Sequence, residues 1–163
     1  MLSAALLTVF GTTLALGATL PARAPGLWRS VTTVLGPDGK PLPNVSDILT
    51  FSCVDPATDH RFFVSGARAC SSFAITGAGS HYSITGSCTQ QGKPVHIQES
   101  LVYASAHSVT LRALLQTSIG PMQVTSQLQW QGECPAGVLP GDEGSMAGGV
   151  FHKTDNIDSP NTP

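Results

Sequence analysis

Four cysteines are the residues whose chemistry follows most directly from their type and spacing: Cys53, Cys70, Cys88 and Cys134. An even number of cysteines is typical of a disulfide framework in an exported protein. Four cysteines can also bind zinc, but structural zinc sites nearly always contain a C-x-x-C pair, which this sequence lacks. We therefore expect two disulfides, no metal site and no cofactor.

A predicted hairpin indicates how the cysteines pair. Two strand-like runs flank a glycine-rich turn, and Cys70 and Cys88 are equally distant from Gly79 at its centre. Residues facing each other across antiparallel strands have Cβ atoms about 4.5–5.5 Å apart, close to what a disulfide spans. We predict a Cys70–Cys88 disulfide. This leaves Cys53–Cys134, which would close a loop of roughly 80 residues and contribute about 4 kcal/mol in the chain-entropy account.

The histidines and carboxylates form no recognisable catalytic pattern. His96 and Glu99 are three residues apart on a predicted strand and therefore lie on opposite faces. Ser80-His81 lacks the strand–turn–helix setting of a nucleophile elbow, and no G-x-S-x-G motif is present. We expect no catalytic residue and no enzymatic activity. Convergence of His81, His96 or His107 with Glu99 or Asp59 in one pocket would instead indicate a hydrolase.

Three aromatic residues, Trp28, Trp130 and Tyr82, are candidates for a ligand-facing or partner-facing surface. Large aromatic side chains more often fill the core of a small domain, because each buries a large apolar area. We therefore expect both tryptophans to lie in the core. Burial of these rings is the observation that separates the two interpretations.

Composition excludes a nucleic-acid partner. Only 11 % of the residues are charged, the net charge is −2, and the lysines and arginines are scattered singly. A nucleic-acid-binding protein normally carries a clustered basic face. The length of 163 residues accommodates one domain.

The N-terminus resembles a signal peptide, which we place at residues 1–22. The run from Leu2 to Leu20 is apolar or small, and no charged residue occurs before Arg23. It is short for a membrane-spanning helix. Ala15-Leu16-Gly17 and Ala22 both offer cleavage sites. We predict a periplasmic or secreted protein of the bacterial envelope with no stable membrane span after cleavage; the alternative is an uncleaved anchor.

The remaining pattern predicts an all-β domain at residues 25–134. Seven or eight short strands with tight turns favour an antiparallel meander that forms a small barrel or sandwich, stapled by the disulfides. Asp55 and Pro56 begin one short helix, as N-cap and first helical residue. Residues 135–163 are rich in Gly, Pro, Asp and Ser, and we expect a disordered C-terminal tail.

These landmarks resemble the bacterial family called domain of unknown function 3617. The similarity rests on Pro25-Gly26-Leu27-Trp28, on Cys53-Val54-Asp55-Pro56, on Tyr82 with Gly86 and Cys88, and on Gly132-Glu133-Cys134. It covers about residues 25–134. The resemblance implies a short exported protein and implies no activity.

Three functions are consistent with this sequence. The first is a non-catalytic module of the periplasm that binds a small apolar ligand on its sheet. The second is a protein-interaction module, such as an enzyme inhibitor or an envelope-assembly factor, with the loop Gly36–Asn44 as a candidate contact. The third is a hydrolase with an unrecognised site. A lumen lined by apolar residues and open at one end favours the first, and a filled core with an exposed apolar patch of more than a few hundred Å² favours the second.

Overall fold

The computed structural model describes residues 17–43, 45 and 47–158 and shows the predicted, mainly antiparallel β-domain. One short helix, α1 (Asp59–Val64), is followed by a 3-10 turn at Ser65–Ala69. The strands in chain order are β1 Gly26–Leu35, β2 Ile48–Val54, β3 Cys70–Ala78, β4 His81–Gln90, β5 Lys93–Ser105, β6 Ser108–Thr117, β7 Gly120–Gly132, β8 Asp142–Ala147 and β9 Val150–Asn156.

The nine strands of the described residues all belong to one sheet with the order β3-β4-β5-β6-β7-β1-β2-β8-β9. Strands β3 to β7 follow one another as a meander, which confirms that prediction. The sheet does not close, since β3 and β9 are its two edges. The barrel, one of the two predicted forms, is therefore wrong. Closure depends on which distant strands pair, and local alternation does not encode that.

One face of the sheet, here called the inner face, carries the core. Side chains alternate between the two faces of a strand, so the register of the paired strands assigns every position to a face. The core cluster includes Trp28, Ile84, Leu101 and Val109, which are almost completely buried. Phe62 and Phe63 of α1 pack against this cluster.

Asp55 organises the chain before α1. Its carboxylate accepts hydrogen bonds from the backbone N–H groups of Ala57 and Thr58, at 3.0 and 2.8 Å. Burial pushes the pKa of Asp55 upward, but the hydrogen bonds from Thr58 and Ala57 outweigh it and lower the pKa. Asp55 therefore stabilises the turn that precedes α1. The helix begins at Asp59 with Thr58 as its N-cap, because residues 56–58 form a turn, so the prediction of Asp55 as N-cap and Pro56 as first helical residue is wrong.

Both predicted disulfides are present, Cys53–Cys134 and Cys70–Cys88. The β3–β4 hairpin turns between Ala78 and His81. A strict register would then place Cys70 opposite Thr89. A β-bulge after Cys70 shifts the register by one residue and brings Cys88 opposite it.

The prediction of a disordered tail over residues 135–163 is wrong for residues 142–156, which form β8 and β9. Asp142 is buried and accepts hydrogen bonds from the Leu139 N–H and the Asn156 side chain, and it pairs with Lys153. The backbone N–H of Gly141 donates to the Cys53 carbonyl. The Asp142 contacts hold the hairpin together, whereas the Gly141 bond and the β2–β8 pairing attach it to β2, although its sequence has little apolar alternation.

The chain also enters the fold earlier than residue 25. Leu20 belongs to the core cluster, and the backbone N–H of Ala18 donates to the Ile75 carbonyl at 3.0 Å. The predicted signal peptide lies mostly on residues 1–16, which are outside the described residues, so it stays a prediction. No helix in the described ranges has the length and apolar character needed to cross a membrane.

Candidate ligand-binding site

A cavity of about 230 Å³ lies between the helical region and the inner face of β1, β2 and β7. Its floor is polar. Side chains alternate along β1, β2 and β7, so five hydroxyl groups of these strands line the cavity. Its walls are apolar and consist of Phe62, Phe63, Leu111 and Leu128. Hydroxyls both donate and accept hydrogen bonds, so this floor suits an uncharged polar group. The five residues are Ser30, Thr32, Thr50, Ser52 and Ser126.

Arg23 supplies the cation of this cavity. Its Nε donates to Asp59 Oδ1 at 2.6 Å, and its backbone N–H donates to Oδ2 at 2.9 Å. The guanidinium lies 4.8 Å from the Trp28 ring, 5.6 Å from Phe62 and 4.7 Å from Phe63. The side chain is only 1 % exposed, yet its Nη2 has no hydrogen-bond partner among the described residues. A buried donor without a partner costs free energy, and a ligand oxygen would remove that cost.

Glu143 adds a carboxyl group to the same cavity. Burial raises its pKa, Asp155 raises it further, and Arg23 opposes the shift. Asp59 already balances the charge of Arg23, so the cavity carries no surplus positive charge. It therefore favours an uncharged oxygen acceptor over an anion.

The inner face continues past the cavity into apolar positions that the core cluster does not include. Five apolar side chains on the inner face lie outside the core cluster, and all are only half-buried. Val34 follows Thr32 at a spacing of two on β1, and Val124 precedes Ser126 in the same way on β7. The hydroxyl floor thus runs directly into this apolar surface. We call it the open half; it consists of Val34, Ile97, Leu115, Met122 and Val124.

Glu99 lies at the boundary between the core and the open half. The register places it between Ile84 on β4 and Ala113 on β6, on the inner face. Burial raises its pKa to about 7, and its Oε1 has no hydrogen-bond partner in the described residues. Near neutral pH this carboxyl can therefore hold a proton and donate it in a hydrogen bond. A neutral acid beside apolar side chains suits a ligand with an uncharged polar group.

Tyr103 belongs to the core cluster and adds a buried hydroxyl group to the inner face. Its ring packs edge-to-face on Tyr82, with centroids 5.9 Å apart. Its hydroxyl is buried without a hydrogen-bond partner among the described residues. Burial and the nearby Asp59 carboxylate raise the pKa of Tyr103, so the phenol stays protonated.

The predicted aromatic candidates occupy different settings. Trp28 is 1 % exposed, and its indole N–H donates to the Ala24 carbonyl, so it fills the core. Tyr82 is half-buried against that core. Trp130 is 36 % exposed, which differs from its expected burial. It lies near the end of β7, where its indole N–H donates to the Pro25 carbonyl and its ring contacts His107.

The histidines do not join the buried carboxylates. His96 pairs with Ser87 on the outer face, whereas Glu99 lies on the inner face. His81 lies beside the β3–β4 turn, 2.9 Å from the Ser80 hydroxyl. His107 contacts Trp130. No group of three or more His, Cys, Asp or Glu side chains in the described part of the chain could hold a metal ion.

Sequence reasoning missed Arg23, Glu143 and the hydroxyl floor. Arg23 follows an apolar run that resembles a leader, and Glu143 lies in a segment without strand alternation. Strand alternation could have indicated the floor, because Ser126 lies on the same face of β7 as the apolar residues Met122, Val124 and Leu128.

Comparison with known proteins yields one family. The model of the DUF3617 family, described as a protein of unknown function, matches residues 23–134. No curated protein and no solved structure matches the chain. The matched range includes Arg23 and ends at Cys134, so β8 and β9 lie beyond it.

Proposed function

Because the chain belongs to the DUF3617 family, whose description assigns no activity, we propose its function from geometry: it is an exported, non-catalytic module that binds a small, mainly apolar ligand on the inner face. The observation that carries this proposal is the open half. Its five apolar side chains remain half-exposed although they share a face with the core. Solvent contact at such positions costs about 25 cal/mol per Å² of apolar area, which a bound ligand would recover.

The neighbouring cavity supports an amphiphilic ligand. Its volume of about 230 Å³ is below the roughly 300–1,000 Å³ of pockets for drug-sized molecules. It therefore suits a small head, with the rest of the molecule lying on the open half. Arg23 Nη2 and the hydroxyls favour a head with uncharged oxygen acceptors, such as an ester, amide or alcohol.

The proposal includes no catalytic step. The groups that face the cavity can hold and orient a polar head, but no histidine meets them on the inner face. We place the protein in the periplasm or outside the cell, since two disulfides are typical of oxidising compartments.

A pair of adjacent residues tests the proposal. Leu115 lies on the inner face in the open half, and Leu114 is half-buried on the outer face. The mature protein is titrated with phenylnaphthylamine, a neutral fluorescent apolar probe. We expect Leu115→Asn to weaken binding about tenfold or more, and Leu114→Asn to change it by less than about twofold.

Two results would contradict this proposal. One is that the unmodified protein does not bind the probe; the other is that both variants weaken binding equally. Native mass spectrometry of protein purified gently from the periplasm provides an independent measurement. An extra mass that is lost on denaturation is expected, and its fragmentation identifies the ligand class.

A protein-interaction module is a second candidate because two loops between strands, or their edges, carry exposed apolar side chains. Val45, Ile48 and Leu49 lie in the β1–β2 loop and the start of β2, and Ile119 lies in the β6–β7 turn. Ile119 is 70 % exposed. Co-purification of one defined envelope protein, lost in Ile119→Ser and kept in Leu115→Asn, would favour this candidate.

A further inference from the structure

Residues Ala18–Ala24, here called the N-terminal segment, contact the fold along most of their length. The Ala18 N–H donates to the Ile75 carbonyl on edge strand β3, and Leu20 is buried in the core. The Ala24 N–H donates to the Ala106 carbonyl at 2.8 Å, and Arg23 pairs with Asp59. The segment therefore covers one end of the inner face.

We propose that this segment is the start of the mature protein, released by hydrolysis of the Gly17–Ala18 peptide bond. Water adds across the amide, leaving a carboxylate on Gly17 and an ammonium group on Ala18. The catalyst is an endopeptidase that selects small side chains at the first and third positions before the bond. Gly17 and Ala15 occupy those positions. The inference rests on the export included in the proposed function.

The first contact of the segment with the sheet lies immediately after this bond. An ammonium group on Ala18 keeps donors for the Ile75 carbonyl, 3.0 Å away. Ala18 is half-buried and Gly17 is exposed, so the new charge stays close to water. Cleavage here retains every contact of the segment described above.

Cleavage after Ala22, the other site in the sequence, would damage the fold. It would remove Leu20 from the core cluster. It would also place the new ammonium on Arg23, a residue that is 2 % exposed. Burying an additional charge is costly unless it is fully paired. The proposal therefore moves the boundary from residue 22, expected from the sequence, to residue 17.

The direct test is to express the complete chain in a bacterial host and to determine the N-terminus of the periplasmic product by mass spectrometry. The expected product begins Ala-Thr-Leu-Pro-Ala. A product beginning at Arg23, or an uncut chain, overturns the proposal. Binding of phenylnaphthylamine is measured on separately purified protein, so a failure of the ligand proposal remains distinguishable.

Two variants separate the sites. Gly17 and Ala22 are both exposed, and a long charged side chain can reach solvent from either position. We expect Gly17→Arg to abolish the product beginning at Ala18 and to accumulate uncut chain. Ala22→Arg should still be cut before Ala18. Normal processing of Gly17→Arg together with blocked processing of Ala22→Arg would show that cleavage follows Ala22.

A stability comparison tests the structural reason. The chains 18–163 and 23–163 are produced directly and oxidised. The shorter chain should melt several degrees lower because it lacks Leu20. Equal melting temperatures would overturn the argument that the segment is needed by the fold.

Discussion

The two halves of the inner face are built from the same strands but differ in what covers them. At one end, α1 and the N-terminal segment pack on Trp28, Leu101 and Val109, which are at most 1 % exposed. At the other end, Leu115 and Met122 remain half-exposed. The covered end therefore supplies stability, and in the proposed function the open half supplies the binding surface.

The largest expected effect concerns the ion pair at the covered end. Replacing Asp59 with Ala leaves the Arg23 guanidinium buried without its counter-charge, and the loss of one partner of a buried pair costs about 3–5 kcal/mol. The matched control is the pair Arg61–Asp158, whose side chains are each 42 % exposed. Asp158→Ala should cost less than about 1 kcal/mol. Urea unfolding measures both, and similar losses would refute the contrast.

The second prediction compares a leucine from each half. Leu101 is 0 % exposed, and Leu101→Ala should lower the free energy of unfolding by about 2–5 kcal/mol through lost burial and a cavity. Leu115→Ala should cost about 1 kcal/mol or less because its side chain is already half-exposed. Binding of phenylnaphthylamine should show the opposite order, because Leu115→Ala should weaken binding more than Leu101→Ala does. If Leu115→Ala destabilises the protein as much as Leu101→Ala, the open half is part of the core.

The smallest effect is a pH dependence that arises from Glu99 at the boundary. Its pKa is raised from 4.5 to about 7 in the folded protein, so the folded state binds more protons than the unfolded state within that window. Stability from this group is complete below about pH 4.5 and is lost as the pH rises through about 7. Partial solvent access limits the loss to about 1–2 kcal/mol.

Glu99→Gln isolates this contribution. The amide keeps the shape of the side chain and cannot ionise, so the difference in stability between the original protein and Glu99→Gln should change across this pH range. Thermal unfolding at pH 5 and pH 8 measures it. A difference that is the same at both pH values would show that the carboxyl of Glu99 is solvated and that the boundary is open to water.

Features encoded over short stretches of chain were predictable from the sequence. The Cys70–Cys88 disulfide depends on one hairpin, and the hydrogen bonds of Asp55 depend on its neighbours Ala57 and Thr58, although the start of α1 was placed too early. Even there, the predicted centre at Gly79 was displaced, because the strands pair as Ala78 with His81, and a β-bulge after Cys70 restores the predicted pairing of the cysteines.

Features that depend on distant contacts were not predictable. β8 has the sequence Asp-Glu-Gly-Ser-Met-Ala, which lacks alternation and is held by pairing with β2 and by the buried Asp142. Arg23 becomes a core cation only because Asp59, from a different part of the chain, reaches it. The candidate cavity combines these two regions, so its charged members could not be predicted from the sequence.

The hairpin of β8 and β9 changes which strand ends the sheet. Without it, β2 would present a free edge beside the exposed side chain of Leu49, and unpaired edges of this kind promote aggregation by pairing with other chains. With it, the edge strand is β9, which carries Lys153 and Asp155. Charged residues on an edge discourage such pairing. The hairpin therefore protects the protein against aggregation by edge-to-edge strand pairing.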